Sequence, residues 1–245
     1  MTDPLFLAAL DRPAVGQVVE LTGEEGRHAA AVRRLRVGEI VLVSDGNGTA
    51  IRGPVAAADK NGLSVTVEEV LHEPKRPVRY VAVQALPKGD RAELAVELLT
   101  EAGIDEIVPW QAERSVVRWA PDRVERGLTR WRATAREAAK QSRRFRVPSV
   151  TTPMTTAELA LRIAQTDLTV VLHESAETRL GTFTLPPIGE IMFIVGPEGG
   201  LTDAELAAFT AAGGRTALVA DAVLRTSTAG VVALAQLQAL AVRDR

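Results

Sequence analysis

The chain has 245 residues, 46% hydrophobic and 24% charged, which is enough apolar material for a real core and excludes wholesale disorder. It contains no cysteine, so disulfides, thiolate metal sites, iron–sulfur clusters and a cysteine nucleophile are excluded; its three histidines, His28, His72 and His173, lie far apart and suggest no metal site. The formal net charge of −2 hides an asymmetry: residues 1–73 hold 7 basic against 11 acidic residues, whereas residues 114–146 hold 11 against 3, all but Lys140 of the basic ones being arginine.

In chain order, the first 73 residues read as β-rich. Residues 17–21, 39–43, 50–55 and 63–70 are short runs with strand character, separated by the turn signals Asp45-Gly46-Asn47-Gly48 and Asn61-Gly62. Residues 28–36 are the helical candidate within this block, and the whole suggests a small barrel or meander. The charged, proline-bearing stretch 72–77 reads as a linker, giving domains at 1–73 and 74–245.

From residue 78 strands and helices alternate. Residues 78–85, 104–109, 168–172, 190–195 and 216–219 read as strands, and residues 89–102, 121–142, 156–164, 203–212 and 226–242 as helices. That order argues for a mostly parallel sheet covered by helices. Val124, Leu128, Trp131, Ala135 and Ala138 form one apolar stripe along the long helix, with arginines mostly off it and grouped at its end. Such a field suits a polyanion, because the planar guanidinium fork matches phosphate. The last helix is apolar on nearly all sides apart from Gln236 and Gln238, and is expected to be buried completely, in its own core or against a second subunit.

The strongest local signal is the apolar strand 191–195 running into Gly196-Pro197-Glu198-Gly199-Gly200 and then Leu201-Thr202-Asp203. Three glycines permit close backbone approach to a ligand and positive φ angles, and a branched side chain at Gly199 is expected to fill the space left for it. Thr202 or Asp203 can cap the next helix, with Glu205 placed for a capping box. The lysine of a P-loop and the spacing of a dinucleotide fingerprint are both absent. Two further loops follow apolar strands, Leu172–Ser175 and Val219–Thr228; in open α/β sheets ligands gather beyond the carboxyl ends of strands, so the three loops can line one pocket.

The chain resembles the RsmE family, the small-subunit (16S) ribosomal RNA uridine-N3 methyltransferases of the SPOUT superfamily. The residues that carry the resemblance are Gly196–Gly200 with Leu201-Thr202, Val223–Thr226 before the last helix, His28, Val32, Arg34 and Gly38-Glu39, Lys88–Asp90, Glu113–Ser115, and Glu137 to Pro148. The chain departs from the family pattern where Lys140 and Ser227 replace glutamates and where Val219–Ala222 lacks a glycine and an arginine.

The resemblance implies an α/β protein with an N-terminal PUA-like β-barrel that helps hold RNA and a C-terminal SPOUT domain with a trefoil knot. It implies S-adenosylmethionine as cofactor, gripped by Leu172 and Glu174, by Gly196, Glu198 and Gly199, and by Val219, Ala220, Leu224 and Thr226. Together with the arginine run it marks Arg34, Arg114, Arg144 and Arg146 as RNA contacts. It further implies a homodimer acting on 16S rRNA in the small subunit, with no metal. Direct transfer to a ring nitrogen needs no covalent enzyme intermediate, in keeping with the missing cysteine; Arg225 is the candidate for stabilising the developing anion and Glu198 for accepting the N3 proton. No stretch approaches the roughly 20 apolar residues of a membrane span and no secretory signal is visible, so a cytoplasmic protein is expected. Two other readings stay open: a non-catalytic RNA-binding or ribosome-assembly module, which would not bind the cofactor, and a SPOUT tRNA methyltransferase.

Overall fold

In the computed structural model, which describes residues 3–243, the chain divides into two units. One takes the chain through Lys75 together with Ala139–Val147; the other takes Arg76–Ala138 and the chain from Pro148 onward.

The first unit is built on six strands, β1 (Leu5–Leu7), β2 (Val18–Leu21), β3 (Ile40–Ser44), β4 (Thr49–Asp59), β5 (Gly62–Thr66) and β6 (Glu69–His72). Their order is β1-β3-β4-β5-β2, with β6 also on β4; β1 runs parallel to β3 and the other pairs are antiparallel. The β3–β4 turn closes because Asp45 Oδ1 accepts hydrogen bonds from the amides of Asn47 (2.7 Å) and Thr49 (3.0 Å). Phe6, Leu21, Val41, Val43, Ile51, Val55 and Val65 fill the core.

The expected strand over 63–70 is instead two. β5 pairs with the far half of β4 and β6 with its near half, so the chain must cross between them at Val67-Glu68. The expected helix over 28–36 starts earlier and ends earlier: α1 (Gly23–Arg27) runs into a π-helical turn, His28–Val32, and Arg34 stops it with φ +55°.

Segment 139–147 is tied into this unit by charge. Lys140 Nζ lies 2.9 Å from Glu25 Oε1 with both side chains largely buried, which gives the lysine a partner at this departure from the family pattern. Arg146 lies across Gly48, whose φ of +108° and missing side chain make room for the guanidinium, and donates to the carbonyls of Asn47 and Glu73.

The second unit is a parallel sheet: β7 (Val78–Ala85), β8 (Glu106–Trp110), β9 (Ser149–Val150), β10 (Leu168–Leu172), β11 (Gly189–Val195) and β12 (Arg215–Ala217), in the order β12-β10-β11-β7-β8-β9. The helices are α2 (Arg91–Glu101), α3 (Val124–Gln141), α4 (Thr156–Ile163), α5 (Asp203–Ala211) and α6 (Thr226–Arg243). β8 and β10 are buried along their whole length and β11 from Ile191 on, as helices on both faces of a parallel sheet require. Trp110 meets the Phe209 ring edge-on at 5.2 Å in this core. The stripe on α3 is buried at Leu128, Trp131, Ala135 and Ala138.

α6 is not covered on all sides by its own chain, so the first of the two expected alternatives does not hold. Gly230, Ala233, Leu234, Leu237 and Leu240 face inward, while Ala235 and Ala239 are exposed and Val242 is 73% exposed. Within one chain only one face of this apolar helix is covered. Its two glutamines hold neighbouring backbone: Gln236 Nε2 donates to the Val219 carbonyl (2.8 Å) and Gln238 Nε2 to that of Ala102 (2.9 Å) at the end of α2.

Candidate functional site

All pairs in the second sheet are parallel, so the loops after its strands emerge on one edge. β10 lies between β12 and β11, which makes the loops that begin at Leu172, Gly196 and Leu218 immediate neighbours. The loops after β7 and β8 come next along the same edge.

The glycine loop is held from several sides. Leu201 Cδ1 sits 2.6 Å from where a Cβ on Gly196 would stand, so this glycine is needed for internal packing. A Cβ on Gly199 would lie 3.1 Å from Arg114 Cβ and 3.3 Å from the Arg114 carbonyl oxygen, so a side chain there would meet Arg114. Gly200 takes φ +71°. Thr202 and Glu205 form the capping box of α5, and Glu205 also accepts from the Glu113 amide (2.7 Å). Glu198 is exposed, and its Oε1 accepts from the Lys88 amide (3.1 Å), joining this loop to the one after β7.

The loop after β12 is pinned to its neighbours as well. The Leu218 amide donates to Thr178, the Leu218 carbonyl accepts from Leu180, and Arg179 pairs with Asp221. Thr226 Oγ1 lies 3.4 Å from the Gly196 carbonyl, bringing the start of α6 against the glycine loop. Arg225 is exposed just before it, its carbonyl accepting from the amides of Thr228 and Ala229. Leu224, Val219 and Ala220 are half-buried, Leu172 is buried and Glu174 is exposed. The Ser227 hydroxyl and Gln84 Oε1 are buried without a hydrogen-bond partner. His173 Nδ1 accepts from the Ser175 amide (3.2 Å), a local turn contact.

The four arginines marked as RNA contacts fall into different settings. Arg34 is exposed on the first unit and Arg144 half-buried. Arg146 is committed to Asn47 and Glu73, whereas Arg114 Nη1 donates to the carbonyls of Gly199 (3.3 Å) and Leu201 (3.2 Å). Sequence reasoning missed Lys88, Gln236 and the loop-bracing position of Arg114; the adjacency of Glu113-Arg114-Ser115 to a strand end was the available signal. Among the described residues no group of three or more His, Asp or Glu is placed to hold a metal ion, and no helix is long and apolar enough to cross a membrane.

Known proteins match the chain along nearly its whole length. The RNA methyltransferase domain family matches residues 74–238, and the RNA methyltransferase PUA domain matches residues 21–68. The ribosomal RNA small subunit methyltransferase E of Mycobacterium bovis is 45% identical over 237 residues, covering 94% of this chain and 90% of the relative. This chain belongs to the ribosomal RNA small subunit methyltransferase E family. The Bacillus subtilis methyltransferase E is 32% identical, with 89% of this chain and 88% of the relative covered. The crystal structure of methyltransferase E from Neisseria gonorrhoeae bound to S-adenosyl methionine matches with a TM-score of 0.87 at 27% identity, covering 98% of both chains. The fold is therefore the mixed α/β methyltransferase E architecture, a PUA-like part followed by a SPOUT-like domain.

Proposed function

We propose that this chain transfers a methyl group from S-adenosylmethionine to N3 of a uridine in the 16S rRNA of the small ribosomal subunit. The observation that carries the reading is the adjacency of the three loops after β10, β11 and β12, with the start of α6 bonded to the glycine loop at Gly196. Family membership over both units supports it. In this reading residues 1–73 are the PUA-like RNA-holding domain and 74–245 the methyltransferase domain, whose loops close a trefoil knot.

The residues present suit that cofactor in chemistry. Leu172 and Val219 border these loops with apolar side chains suited to an adenine ring, with backbone groups of Gly196, Gly199, Ala220, Leu224 and Thr226 for its polar edge. Glu174 and Glu198 carry charge opposite to a sulfonium and an ammonium, and Arg225 charge opposite to a carboxylate or an enolate-like uracil anion. The bound cofactor supplies an electrophilic methyl on sulfur. Uracil N3 must lose its proton, and Glu198 is assigned as acceptor at Oε2, since Oε1 already takes the Lys88 amide. Arg225 stabilises the negative charge that develops on the ring.

Phosphate contact is assigned to Arg34 and Arg144. Arg146 braces the first unit and is expected to contribute stability there. The uncovered apolar face of α6 supports a homodimer, so sedimentation of a dimer at micromolar concentration is expected, and monomer alone would contradict that part. The protein is assigned to the cytoplasm, where small subunits mature. The reading as a whole is tested by incubating the protein with radiolabelled S-adenosylmethionine and small subunits lacking the modification: label enters the 16S rRNA of those subunits and not of already modified ones.

A further inference from the structure

We propose that Arg114 is a positioning residue for the cofactor, a splint that sets the shape of the glycine loop. This rests on the reading of Gly196–Gly200 as a cofactor loop. Arg114 follows β8, two strands away from β11 in the sheet order, yet its side chain reaches the loop. One guanidinium nitrogen, Nη1, donates to two carbonyls two residues apart, Gly199 at 3.3 Å and Leu201 at 3.2 Å. Its Cβ and Cδ lie against Gly199, 3.1 and 3.7 Å from where a side chain there would begin. Hydrogen bonding and packing thus converge at Gly199.

The splint is itself anchored. The preceding Glu113 amide is held by the buried Glu205 carboxylate, and the Ser115 amide bonds back to the Ala112 carbonyl. Arg118 donates to the Glu113 carbonyl, and Trp119 packs edge-on against Trp131 of α3 at 5.4 Å. A charged donor on two loop carbonyls turns them toward Arg114 and fixes the φ/ψ of the residues between them. Gly200 takes φ +71°, and its amide closes a short turn onto the Pro197 carbonyl. Without the guanidinium the loop samples other shapes, and a cofactor gripped through backbone groups loses affinity in proportion. The arginine therefore acts on the cofactor side and is not spent on an RNA phosphate.

The test compares wild type, Arg114→Ala and Arg114→Lys. Cofactor affinity is read by calorimetry with S-adenosylmethionine, steady-state kinetics on small subunits, and RNA affinity at several salt concentrations. The expected result for Arg114→Ala is a dissociation constant and KM for S-adenosylmethionine raised about tenfold with kcat within about twofold. Millimolar guanidinium ion added to this variant recovers part of the loss, which a general loss of packing would not allow. Arg114→Lys, whose ammonium ends one bond short of the position of Nη1, stays weakened about threefold or more. The slope of log RNA affinity against log salt is unchanged in both. An unchanged cofactor affinity in either folded variant overturns the proposal. A salt slope smaller by about 0.7–0.9 with cofactor affinity intact overturns it in favour of a phosphate contact. Should Arg114→Ala not fold, Arg114→Lys decides alone by the same two readings. Wild type failing to bind S-adenosylmethionine overturns the cofactor reading itself, and the proposal with it.

Discussion

Gly199→Val is expected to weaken S-adenosylmethionine binding severely while the protein stays folded. The first added carbon already stands 3.1 Å from Arg114 Cβ and 3.3 Å from the Arg114 carbonyl oxygen, closer than ordinary van der Waals contact. For that carbon to fit, either the segment 112–115 or the glycine loop has to shift, and a β-branched side chain has two further methyl groups to place. The segment is held by Glu205 and, beyond it, by the Trp119–Trp131 contact, so the loop is what yields. Its displacement breaks the Arg114 bonds to Gly199 and Leu201 and moves the Gly196 carbonyl away from Thr226. The core strands beneath do not depend on this loop. A loss of cofactor affinity of about 100-fold or more is expected with a nearly unchanged circular dichroism spectrum. Gly199→Ala, which adds only the first carbon, loses about tenfold or less. Calorimetric titration checks both, and unchanged affinity in folded Gly199→Val contradicts the account.

The second large effect lies at the opposite end of the same strands. Glu106, at the start of β8 and only 6% exposed, bonds Arg162 through Oε1 and Arg79 through Oε2. Both arginines also pair with Glu190 of β11, Arg79 at 2.6 Å and Arg162 at 3.0 Å. Burial alone would push the Glu106 carboxyl up, but the two guanidinium groups outweigh it and hold the group below the usual carboxylate range. Glu106→Gln leaves two guanidinium groups sharing one carboxylate. The expected loss is about 2–3 kcal/mol, at the low end for breaking a buried pair because Arg79 is half exposed. A carboxyl lowered in the folded state contributes stability that is full above its unfolded value and lost as pH falls through the folded one. Urea midpoints on acidification should therefore fall more steeply for wild type than for Glu106→Gln. Methyl transfer at neutral pH should be unaffected, since the network lies away from the strand ends that carry the loops. Equal acid sensitivity of the two proteins contradicts this assignment.

The two ends of the sheet differ in how far they could be read from sequence. β10 is an apolar run broken only by Thr169 and flanked by polar residues, and its bounds, Leu168–Leu172, are those expected; Thr202 and Glu205 form the capping box that their spacing indicates. Both are local signals. The strands β1 and β9 have three and two residues, too short for any periodicity, and exist only because distant strands offer them edges. The Glu106–Arg162–Arg79–Glu190 network joins residues 27 to 111 positions apart, so nothing in a local window marks it. The arginine run carried a different ambiguity. Composition fixes the sign of the field it makes but not which guanidinium groups are already taken, as Arg146 is by Asn47 and Glu73 and Arg114 by the glycine loop. α6 carried a similar ambiguity: its composition indicates burial on all sides, in its own core or against a second subunit, and the three-dimensional structure shows that a single chain covers one side.

Methylation of uridine N3 in 16S rRNA is decided by the chemical identity of the product. Small subunits lacking the modification are incubated with the protein and S-adenosylmethionine, and their 16S rRNA is digested to nucleosides and resolved by mass spectrometry against standards. One new methylated nucleoside, 3-methyluridine, is expected, and it is absent when Gly199→Val replaces the wild-type protein. A methyl on C5 or on a ribose 2′-hydroxyl, or methylation of tRNA with none in 16S rRNA, would contradict it.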